Sequence, residues 1–274
     1  MFRIGLKLSK RLSYGLRVLK LSSSSLNDLI HLYKAIGEAI LESISLKRVK
    51  VEKHLKRPIV VKHPMGPYFL VRPNTADLYD IALAESYELK KWFLPRVGEV
   101  IVDVGAYIGK YSMFACVKQS VRRVVSIEPV PTNAAVIRAN TKLNRCDDKV
   151  NVVDEAIAPT RGELILYIPY ELGFLSLGGA TLEPENGRYL PIRVWGEPLD
   201  DIMQRLGIER VDFLKIDIEG YVSKALPGMI ETMRRTRFLQ IELLRKDLLT
   251  YKKIKQLGFK LVDKHNDNYL FQRF

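Results

Sequence analysis

The amino-acid sequence predicts a doubly wound α/β domain preceded by a helical N-terminal extension. The 274 residues are 47% apolar and 27% charged, which is typical of a globular protein with a sizeable core and excludes disordered and collagen-like chains. After Gly98, short runs of Val, Ile and Leu alternate with segments of helical period, as in parallel sheets that helices cover on both faces. Residues 1–60 hold 13 basic and 4 acidic residues, so most of the net charge of +13 lies there. We therefore expect a basic helical extension at residues 1–57 and an α/β domain at residues 58–274.

The extension begins with a predicted basic amphipathic helix. Residues 1–20 place apolar side chains on one side of an ideal helix and most of the Arg and Lys side chains on the other. The apolar side of such a helix can pack on the rest of this protein or on a second copy in a homodimer. The helix can also lie on an anionic membrane surface. Nucleic acid is the least favoured of these partners, because the main domain carries little excess positive charge.

A second helix is predicted after a serine-rich break, where Ser25 and Asp28 resemble a capping box, and it ends near residue 50. The helical period selects one face for burial, formed by Leu29, Tyr33, Ile36, Ile40 and Ile44. Residues 58–73 contain Pro and β-branched residues and predict short strands and turns. Residues 76–93 predict a further amphipathic helix.

The main sheet is predicted from near-continuous Val, Ile and Leu. These runs lie at residues 99–105, 122–129, 150–157, 211–220 and 238–243. Between the third and fourth strands, residues 163–169 and the glycine-containing loop 177–181 predict a hairpin that lies near the site. Residues 260–265 and 268–274, which a turn of Asn and Asp separates, predict an antiparallel pair that closes the sheet.

The cysteine content and the hydropathy predict a cytoplasmic protein, peripheral to a membrane if residues 1–20 bind lipid. Cys116 and Cys146 are the only cysteines, too few for a disulfide-rich secreted scaffold. No run approaches the roughly 18 apolar residues of a membrane span, and basic residues interrupt any signal-peptide core within residues 1–20. The four histidines are scattered and form no HExxH pair, so we expect no zinc site.

The first predicted strand ends in a glycine-containing turn that suits a cationic ligand. The turn reads Asp103-Val-Gly105-Ala-Tyr107-Ile-Gly109, and a predicted helix follows it. Glycine lets a ligand approach the backbone, but an acid at the first position of the turn would repel a pyrophosphate, and the dinucleotide fingerprint is absent. S-adenosylmethionine carries an ammonium and a sulfonium, and so it fits an acidic turn. The alternative is a turn with only a structural role.

The ends of the second and third strands add further acids. Glu128 follows the second strand, where a carboxylate can accept hydrogen bonds from both ribose hydroxyls. The alternative, a cap for the next helix, is less favoured because Pro129 and Thr132 already signal its start. Asp154 and Glu155 at the end of the third strand are expected near the adenine ring, although a solvated strand end explains them equally well.

The fourth strand carries three ionisable residues on one face. With a side-chain period of two, Lys215, Asp217 and Glu219 point to the same side of the sheet. Buried charges need a partner, so these groups must pair with each other, contact a polar ligand or bind a cation. The alternative to a ligand site is an internal ion pair between Lys215 and Asp217, which would still be compatible with a functional role.

These segments resemble the FkbM family of S-adenosylmethionine-dependent methyltransferases. The resemblance rests on VIVDVGAYIGKYS at residues 100–112, IEPVPTNAAVIRANTKLN at 127–144 and PLDDIMQRLGIERVDFLKIDIEGYVSKALPGM at 198–229. It implies a Rossmann-like seven-stranded methyltransferase sheet and methyl transfer, mostly to oxygen, on a sugar, glycolipid or secondary metabolite. Two departures, Tyr107 in place of a frequent Asn and Val222 in place of a frequent acid, concern the substrate side of the site.

The residues and the resemblance together predict one site for S-adenosylmethionine. The predicted cofactor-binding residues are Asp103, Gly105, Tyr107, Gly109, Glu128, Pro129, Asp154, Glu155, Ala156 and Asp217. The predicted catalytic residues are Asp217 as proton acceptor, Lys215 as its support, and Glu219. Mg²⁺ bound by Asp217, Glu219 and Glu242 is a minor alternative, since carboxylate oxygens are its usual ligands.

The predicted function is O-methylation of a hydroxyl on a small-molecule, glycan or glycolipid acceptor. The basic extension suggests an RNA or protein methyltransferase as an alternative. Against it, the N-P-P-Y type of tetrad found in many N-methylating enzymes is replaced by Asp217-Ile-Glu-Gly220. A protein that keeps the fold and binds the cofactor without catalysis is the other alternative.

Overall fold

The computed structural model describes residues 17–43, 51–82, 91–92, 99–118, 121–171, 174–184, 186–243 and 247–274. The predicted basic helix at residues 1–20 lies almost entirely outside them. The chain divides into two compact units, one formed by Met1–Ser86 and Leu172–Leu175 and the other by Tyr87–Glu171 and Ser176–Phe274. In the described part of the chain, no helix has the length and hydropathy needed to cross a bilayer.

The first unit contains helix α1 (Leu26–Ser43), strands β1 (Ile59–Lys62) and β2 (Tyr68–Val71), and helix α2 (Asp77–Ala82). Ser25 Oγ accepts a hydrogen bond from the Asp28 amide at 3.3 Å, so the predicted cap is present. The predicted buried face of α1 was partly wrong. Its buried side chains include Leu32, Ala35, Ile36 and Ala39. Tyr33 is 45% exposed, and the side chains of Ile40 and Ile44 lie outside the described residues.

The first unit extends beyond the boundary that we expected at residue 57. The carboxylate of Asp28 on α1 accepts hydrogen bonds from Arg57 Nη1 at 2.7 Å and from the amide of Val60 in β1 at 3.0 Å. Helix α1 is therefore fastened to the antiparallel pair β1–β2, which packs in the same unit. The observed part of the helix predicted at residues 76–93 is α2, and the rest of that segment, except residues 91–92, is not described.

The second unit is built on a seven-stranded, mainly parallel sheet. In spatial order the strands are β12 (Phe259–His265), β13 (Asn268–Arg273), β11 (Thr236–Glu242), β10 (Val211–Ile216), β3 (Val100–Val104), β4 (Arg123–Ile127) and β5 (Val150–Val153). Strand β13 is antiparallel to both of its neighbours, and the other pairs are parallel. This confirms the predicted α/β fold with seven strands and its antiparallel closing pair.

The helices that connect these strands complete the second unit. They are α3 (Lys110–Lys118), α4 (Pro131–Leu143), α5 (Leu199–Arg205), α6 (Val222–Ala225), α7 (Ile230–Arg234) and α8 (Leu248–Gln256). Val102, Leu214 and Leu239 have no exposed surface and belong to one apolar core with helix residues such as Met229 and Ile254. Because β3 and β10 are neighbours, the turns after these two strands meet at the same edge of the sheet.

An insertion between β5 and β10 forms a second, smaller sheet. Strands β7 (Gly162–Glu171) and β9 (Tyr189–Glu197) are antiparallel, and β6 (Ala156–Ile157) pairs with β9. The strand predicted at residues 150–157 is therefore two strands in different sheets, β5 and β6. The hairpin was predicted, but its second strand was not located because Pro191 and Gly196 interrupt its pattern. The short strand β8 (Phe174–Leu175) belongs to the first unit.

The two cysteines form a disulfide bond. Cys116 in α3 is joined to Cys146, which lies three residues after α4, across 30 residues of sequence. From the sequence we had counted two cysteines as too few for a disulfide-rich secreted scaffold, and we had not predicted that they pair.

Candidate active site at the carboxyl ends of the central strands

A pocket opens where the strands β3, β4, β6 and β10 end. It encloses about 560 Å³ of empty space, counting its open mouth. The lining residues are Val104, Gly105, Tyr107, Ile127, Glu128, Pro129, Glu155, Ala156, Ile157, Leu166, Leu177, Gly178, Ala180, Leu182, Asp217, Ile218, Glu219 and Tyr221. The pocket therefore unites the predicted turn after β3, the acid after β4 and the acids after β10.

Gly105 allows the turns after β3 and β10 to touch. Its φ of +75° is unfavourable for other residues, and a Cβ placed on it would lie 1.8 Å from the carbonyl oxygen of Asp217. The Asp217 amide donates to Val104 O at 3.0 Å on the same side. We predicted that Gly105 leaves space for a ligand, but in the structure the backbone of Asp217 fills the space beside its α-carbon. Gly109, also at positive φ, packs against Ile137 of α4 and does not line the pocket.

Glu128 lines the pocket, and its carboxyl group accepts hydrogen bonds that fix the loop after β4. Its Oε2 accepts from the Tyr107 amide at 2.9 Å, and its Oε1 accepts from the Val130 amide at 3.0 Å and from Asn133 Nδ2 at 3.1 Å. Burial raises the pKa of Glu128 to about 7, although these three N–H donors act in the opposite direction. The carboxylate thus lies at a strand end beside the backbone of the glycine turn, as predicted for a ribose-binding acid.

Asp103 lies below the pocket and does not line it. It is 1% exposed, and its Oδ2 accepts from Ser112 Oγ at 2.9 Å, while Ser126 Oγ donates to Ser112 Oγ at 2.6 Å. Its Oδ1 lies 3.6 Å from Lys215 Nζ. The predicted direct contact of Asp103 with the cofactor is not supported, because Asp103 does not line the pocket; its contacts connect Ser112 of α3 to Lys215 of β10.

Lys215 is a buried cation between two carboxylates. Its Nζ lies 3.2 Å from Asp217 Oδ2, and the ammonium stands 4.8 Å from the centre of the Tyr111 ring. Burial alone would lower the pKa of Lys215, but the carboxylates of Asp217 and Asp103 outweigh it and raise the pKa above its ordinary value. Lys215 is therefore positively charged at neutral pH and serves as an electrostatic support, not as a base.

Three carboxyl groups lie at the ends of β10 and β11. Asp217 and Glu219 line the pocket, and Glu242 follows Ile241, the residue paired with Ile216. Glu219 has an exposed surface, yet the protein around its carboxyl group and the charge of Asp217 raise its pKa to about 7. Burial, Asp217 and Glu219 raise the pKa of Glu242 to about 8.

The residues after β5 divide between the pocket and the surface. Ala156 is buried and lines the pocket, while the lining residue Glu155 directs its Oε2 to Arg205 Nη2 at 2.6 Å. Burial and the nearby Glu197 raise the pKa of Glu155. Asp154 is 56% exposed in its side chain, pairs with Arg138 and does not line the pocket.

Several residues of the site were not found from the sequence. The insertion supplies Leu166, Leu177 and Gly178 to the pocket wall, and Asn133 of α4 binds Glu128. The sequence predicted that the loop 177–181 lies near the site. It did not predict which wall of the pocket this loop forms. Asn133 could have been suspected, because it lies five residues after Glu128 and one turn into a helix that Pro131 begins.

Among the residues that the structure describes, no group of three or more His, Cys, Asp or Glu side chains is arranged to hold a metal ion. Asp217, Glu219 and Glu242 do not form such a group.

The chain is similar in sequence to known methyltransferases. A family model described as the methyltransferase FkbM domain matches residues 103–260. Methyltransferase sdnD of Sordaria araneosa is 27% identical over 156 residues, which cover 48% of this chain and 60% of that protein. The 31-O-demethyl-FK506 methyltransferase FkbM of Streptomyces tacrolimicus is 28% identical over 165 residues, covering 49% and 60%. The 2-O-methyltransferase NoeI of Sinorhizobium fredii is 26% identical over 160 residues, covering 54% and 65%.

A crystal structure of methyltransferase FkbM from Methylobacillus flagellatus KT is also similar, with a TM-score of 0.49 and 16% identity, covering 96% of this chain and 59% of that chain. The chain spans about 60% of the length of the first two curated relatives. The family model covers more than half of the chain and includes the turn after β3, the loop after β4 and the whole of β10. The chain therefore belongs to the methyltransferase FkbM domain family.

Proposed function

We propose that the protein binds S-adenosylmethionine in this pocket and methylates a hydroxyl group of a glycan, a glycolipid or a related metabolite. Membership of the FkbM methyltransferase family supports the reaction. The names of two relatives, a 31-O-demethyl-FK506 methyltransferase and a 2-O-methyltransferase, favour oxygen as the acceptor atom. The observation that carries the proposal is that Glu128 and Asp217 line one pocket, with the buried cation Lys215 beside Asp217.

The residues of the pocket fit S-adenosylmethionine. Glu128 offers a nearly buried carboxylate to the ribose hydroxyls. Ile127, Ala156, Ile157 and Leu166 give apolar walls to an adenine ring. On the other side, Asp217 and Glu219 provide the negative charge that a sulfonium and an ammonium require. Asp103 would act through Lys215 and Ser112, not by direct contact.

The bound cofactor would supply a methyl group that its positive sulfur already activates toward displacement. The protein then has to align an acceptor oxygen behind that carbon and remove its proton. Asp217 lies at the pocket with its Oδ2 fixed by Lys215, and so it is suited to orient the hydroxyl and to accept the proton. Lys215 keeps its charge and stabilises negative charge that develops on the oxygen. Glu219, with a pKa of about 7, is a second acceptor at the same turn.

Calorimetry with S-adenosylmethionine tests the proposal. The wild-type protein is expected to bind, and Glu128→Ala is expected to weaken binding by about tenfold to a hundredfold, because hydrogen bonds to a charged group are lost. Glu163→Ala, which removes an exposed carboxylate of the β7–β9 hairpin, is the matched control and should bind normally. Absence of binding by the wild type would contradict the proposal.

A search for labelled products in cell extracts, with a radiolabelled methyl donor, then identifies the acceptor. With that acceptor, Asp217→Ala is expected to reduce turnover by about a hundredfold or more, as for other proton acceptors. An unaltered turnover rate would remove Asp217 from its assigned role.

A further inference from the structure

One segment of the insertion covers the pocket, and we call residues 177–181 the roof. Leu177, Gly178 and Ala180 of the roof line the pocket. A Cβ placed on Gly178 would lie 3.5 Å from atoms of the Tyr107 ring, so this ring packs directly against the roof backbone. The roof is therefore in contact with the turn after β3, on the side where the cofactor is proposed to bind.

The first end of the roof is fastened to the ribose side of the pocket. Asn133, which has no exposed surface, donates from Nδ2 to Leu177 O at 3.1 Å and to Glu128 Oε1 at 3.1 Å. The same amide group thus connects the roof to the carboxylate that is expected to bind the ribose.

The second end of the roof is fastened to the turn that carries the catalytic carboxylates. The hydroxyl of Thr181 donates to Glu219 O at 3.0 Å and accepts from the Glu183 amide at 3.0 Å. Thr181 is 8% exposed, and its backbone exchanges two hydrogen bonds with Tyr167 of β7. The hydroxyl therefore projects from a backbone segment that is bridged to β7.

The turn that Thr181 contacts has an unusual backbone. Glu219 has a φ of +47° and Gly220 a φ of +86°, and the left-handed region is unfavourable for a residue with a side chain. The orientation of the Glu219 carbonyl is set by these angles, and Thr181 binds the carbonyl in that orientation. Glu183 also forms an ion pair with Lys224 of α6, immediately after the turn.

We propose that Thr181 is a positioning residue that links the roof to the orientation of the turn at residues 217–221 when a cofactor lies under the roof. This inference rests on the proposed function, because it requires a nucleoside ligand under the roof. Thr181 itself does not line the pocket. It acts through the backbone of Glu219. At the other end of the roof, Asn133 connects Leu177 to Glu128 on the ribose side of the pocket.

Hydrogen exchange with S-adenosylhomocysteine as the probe tests the inference. In the wild type, the ligand is expected to slow amide exchange both in the roof and in residues 217–222. Thr181→Val keeps the shape of the side chain but removes the donor, so the ligand should still protect the roof and should no longer protect residues 217–222. Affinity for S-adenosylhomocysteine should fall by about threefold to tenfold, as expected for one lost hydrogen bond. Thr181→Ser retains the hydroxyl and should restore both properties.

Thr236→Val is the matched control, because Thr236 is a buried threonine whose hydroxyl donates to Thr232 O at 2.8 Å at the opposite end of the sheet. It should leave the protection of residues 217–222 unchanged. Thr181→Ala removes the same hydroxyl without a branched side chain and should behave as Thr181→Val does. Equal protection of the turn in the wild type and in both Thr181 variants would overturn the inference. If the wild type bound no S-adenosylhomocysteine, the proposed function would fail instead.

Discussion

At the residue scale, the candidate site depends on one buried cation shared by two carboxylates. Lys215 is 4% exposed and lies 3.2 Å from Asp217 and 3.6 Å from Asp103. Burying these charges is costly, but their mutual attraction and the hydrogen bond from Ser112 to Asp103 compensate. Removing only the cation therefore leaves uncompensated negative charge beneath the pocket.

We expect Lys215→Met to lower the free energy of unfolding by about 3–5 kcal/mol, the usual effect of breaking a buried ion pair. The double variant Lys215→Met/Asp103→Asn should recover part of this loss, because it also removes the most deeply buried unpaired charge. Urea denaturation at neutral pH measures both values. Lys224→Met, which breaks an exposed ion pair, is the control and should have a much smaller effect. An equally small effect for Lys215→Met would contradict the assigned role.

The sequence predicted those site residues whose position follows from a strand end. Glu128 and Asp217 both follow parallel strands, so their approach to one crevice could be expected. The contact of Asp103 with Ser112 and Lys215 could not, because it depends on how α3 packs on the sheet. The bonds of Asn133 to Leu177 and of Thr181 to Glu219 join residues 44 and 38 positions apart, and no local pattern indicates them.

At the element scale, helices α3 and α4 form the supports of the pocket. Helix α3 follows the glycine turn, and α4 carries Asn133, whose amide binds Glu128. The side chain of Asn140 in α4 also donates to the carbonyl of Ile108 in the glycine turn at 2.9 Å. The disulfide between Cys116 and Cys146 connects the two helices near their far ends.

We expect the double variant Cys116→Ser/Cys146→Ser to have a free energy of unfolding about 3–4 kcal/mol lower than the wild type. The reason is that the disulfide closes a loop of 30 residues in the unfolded chain. Reduction of the wild type should have the same effect. Affinity for S-adenosylmethionine at a temperature where both forms are folded should change little, since neither cysteine lines the pocket. Urea denaturation with and without reductant, followed by calorimetry, measures both. If reduction left the urea midpoint unchanged, the disulfide would not stabilise the protein.

The elements themselves were predictable to different degrees. Strands β3, β4 and β10 are rich in Val, Ile and Leu and are buried along nearly their whole length, so burial on both faces identifies them. Strand β9 has exposed and buried residues and an internal Pro191, so its pattern is weak. The break between β5 and β6 depends on pairing with β9, which is 40 residues further along the chain and could not be anticipated.

At the scale of the whole molecule, the acids in and beside the pocket couple stability to pH. Glu128, Glu219 and Glu242 have raised pKa values of about 7, 7 and 8, against an ordinary value of 4.5. Glu219 faces Asp217 and Lys215, while Glu242 faces these two residues together with Glu219 and Asp267. Glu128 faces Asp103. Between pH 4.5 and these raised values, the folded protein keeps protons that the unfolded chain releases. The unfolded state then binds fewer protons, so the free energy of unfolding falls as the pH rises.

We therefore expect the protein to be more stable near pH 5.5 than near pH 8, with Glu128 contributing about 2 kcal/mol to the decrease. Glu128→Gln keeps the shape of the side chain but cannot ionise, and so it should make the dependence of stability on pH less steep over this range. Urea denaturation of both proteins at intervals across the range measures the two slopes. Glu163→Gln, at an exposed carboxylate, should retain the wild-type slope. Equal slopes for the wild type and Glu128→Gln would show that the carboxyl group of Glu128 is ionised at its ordinary pKa in the folded protein.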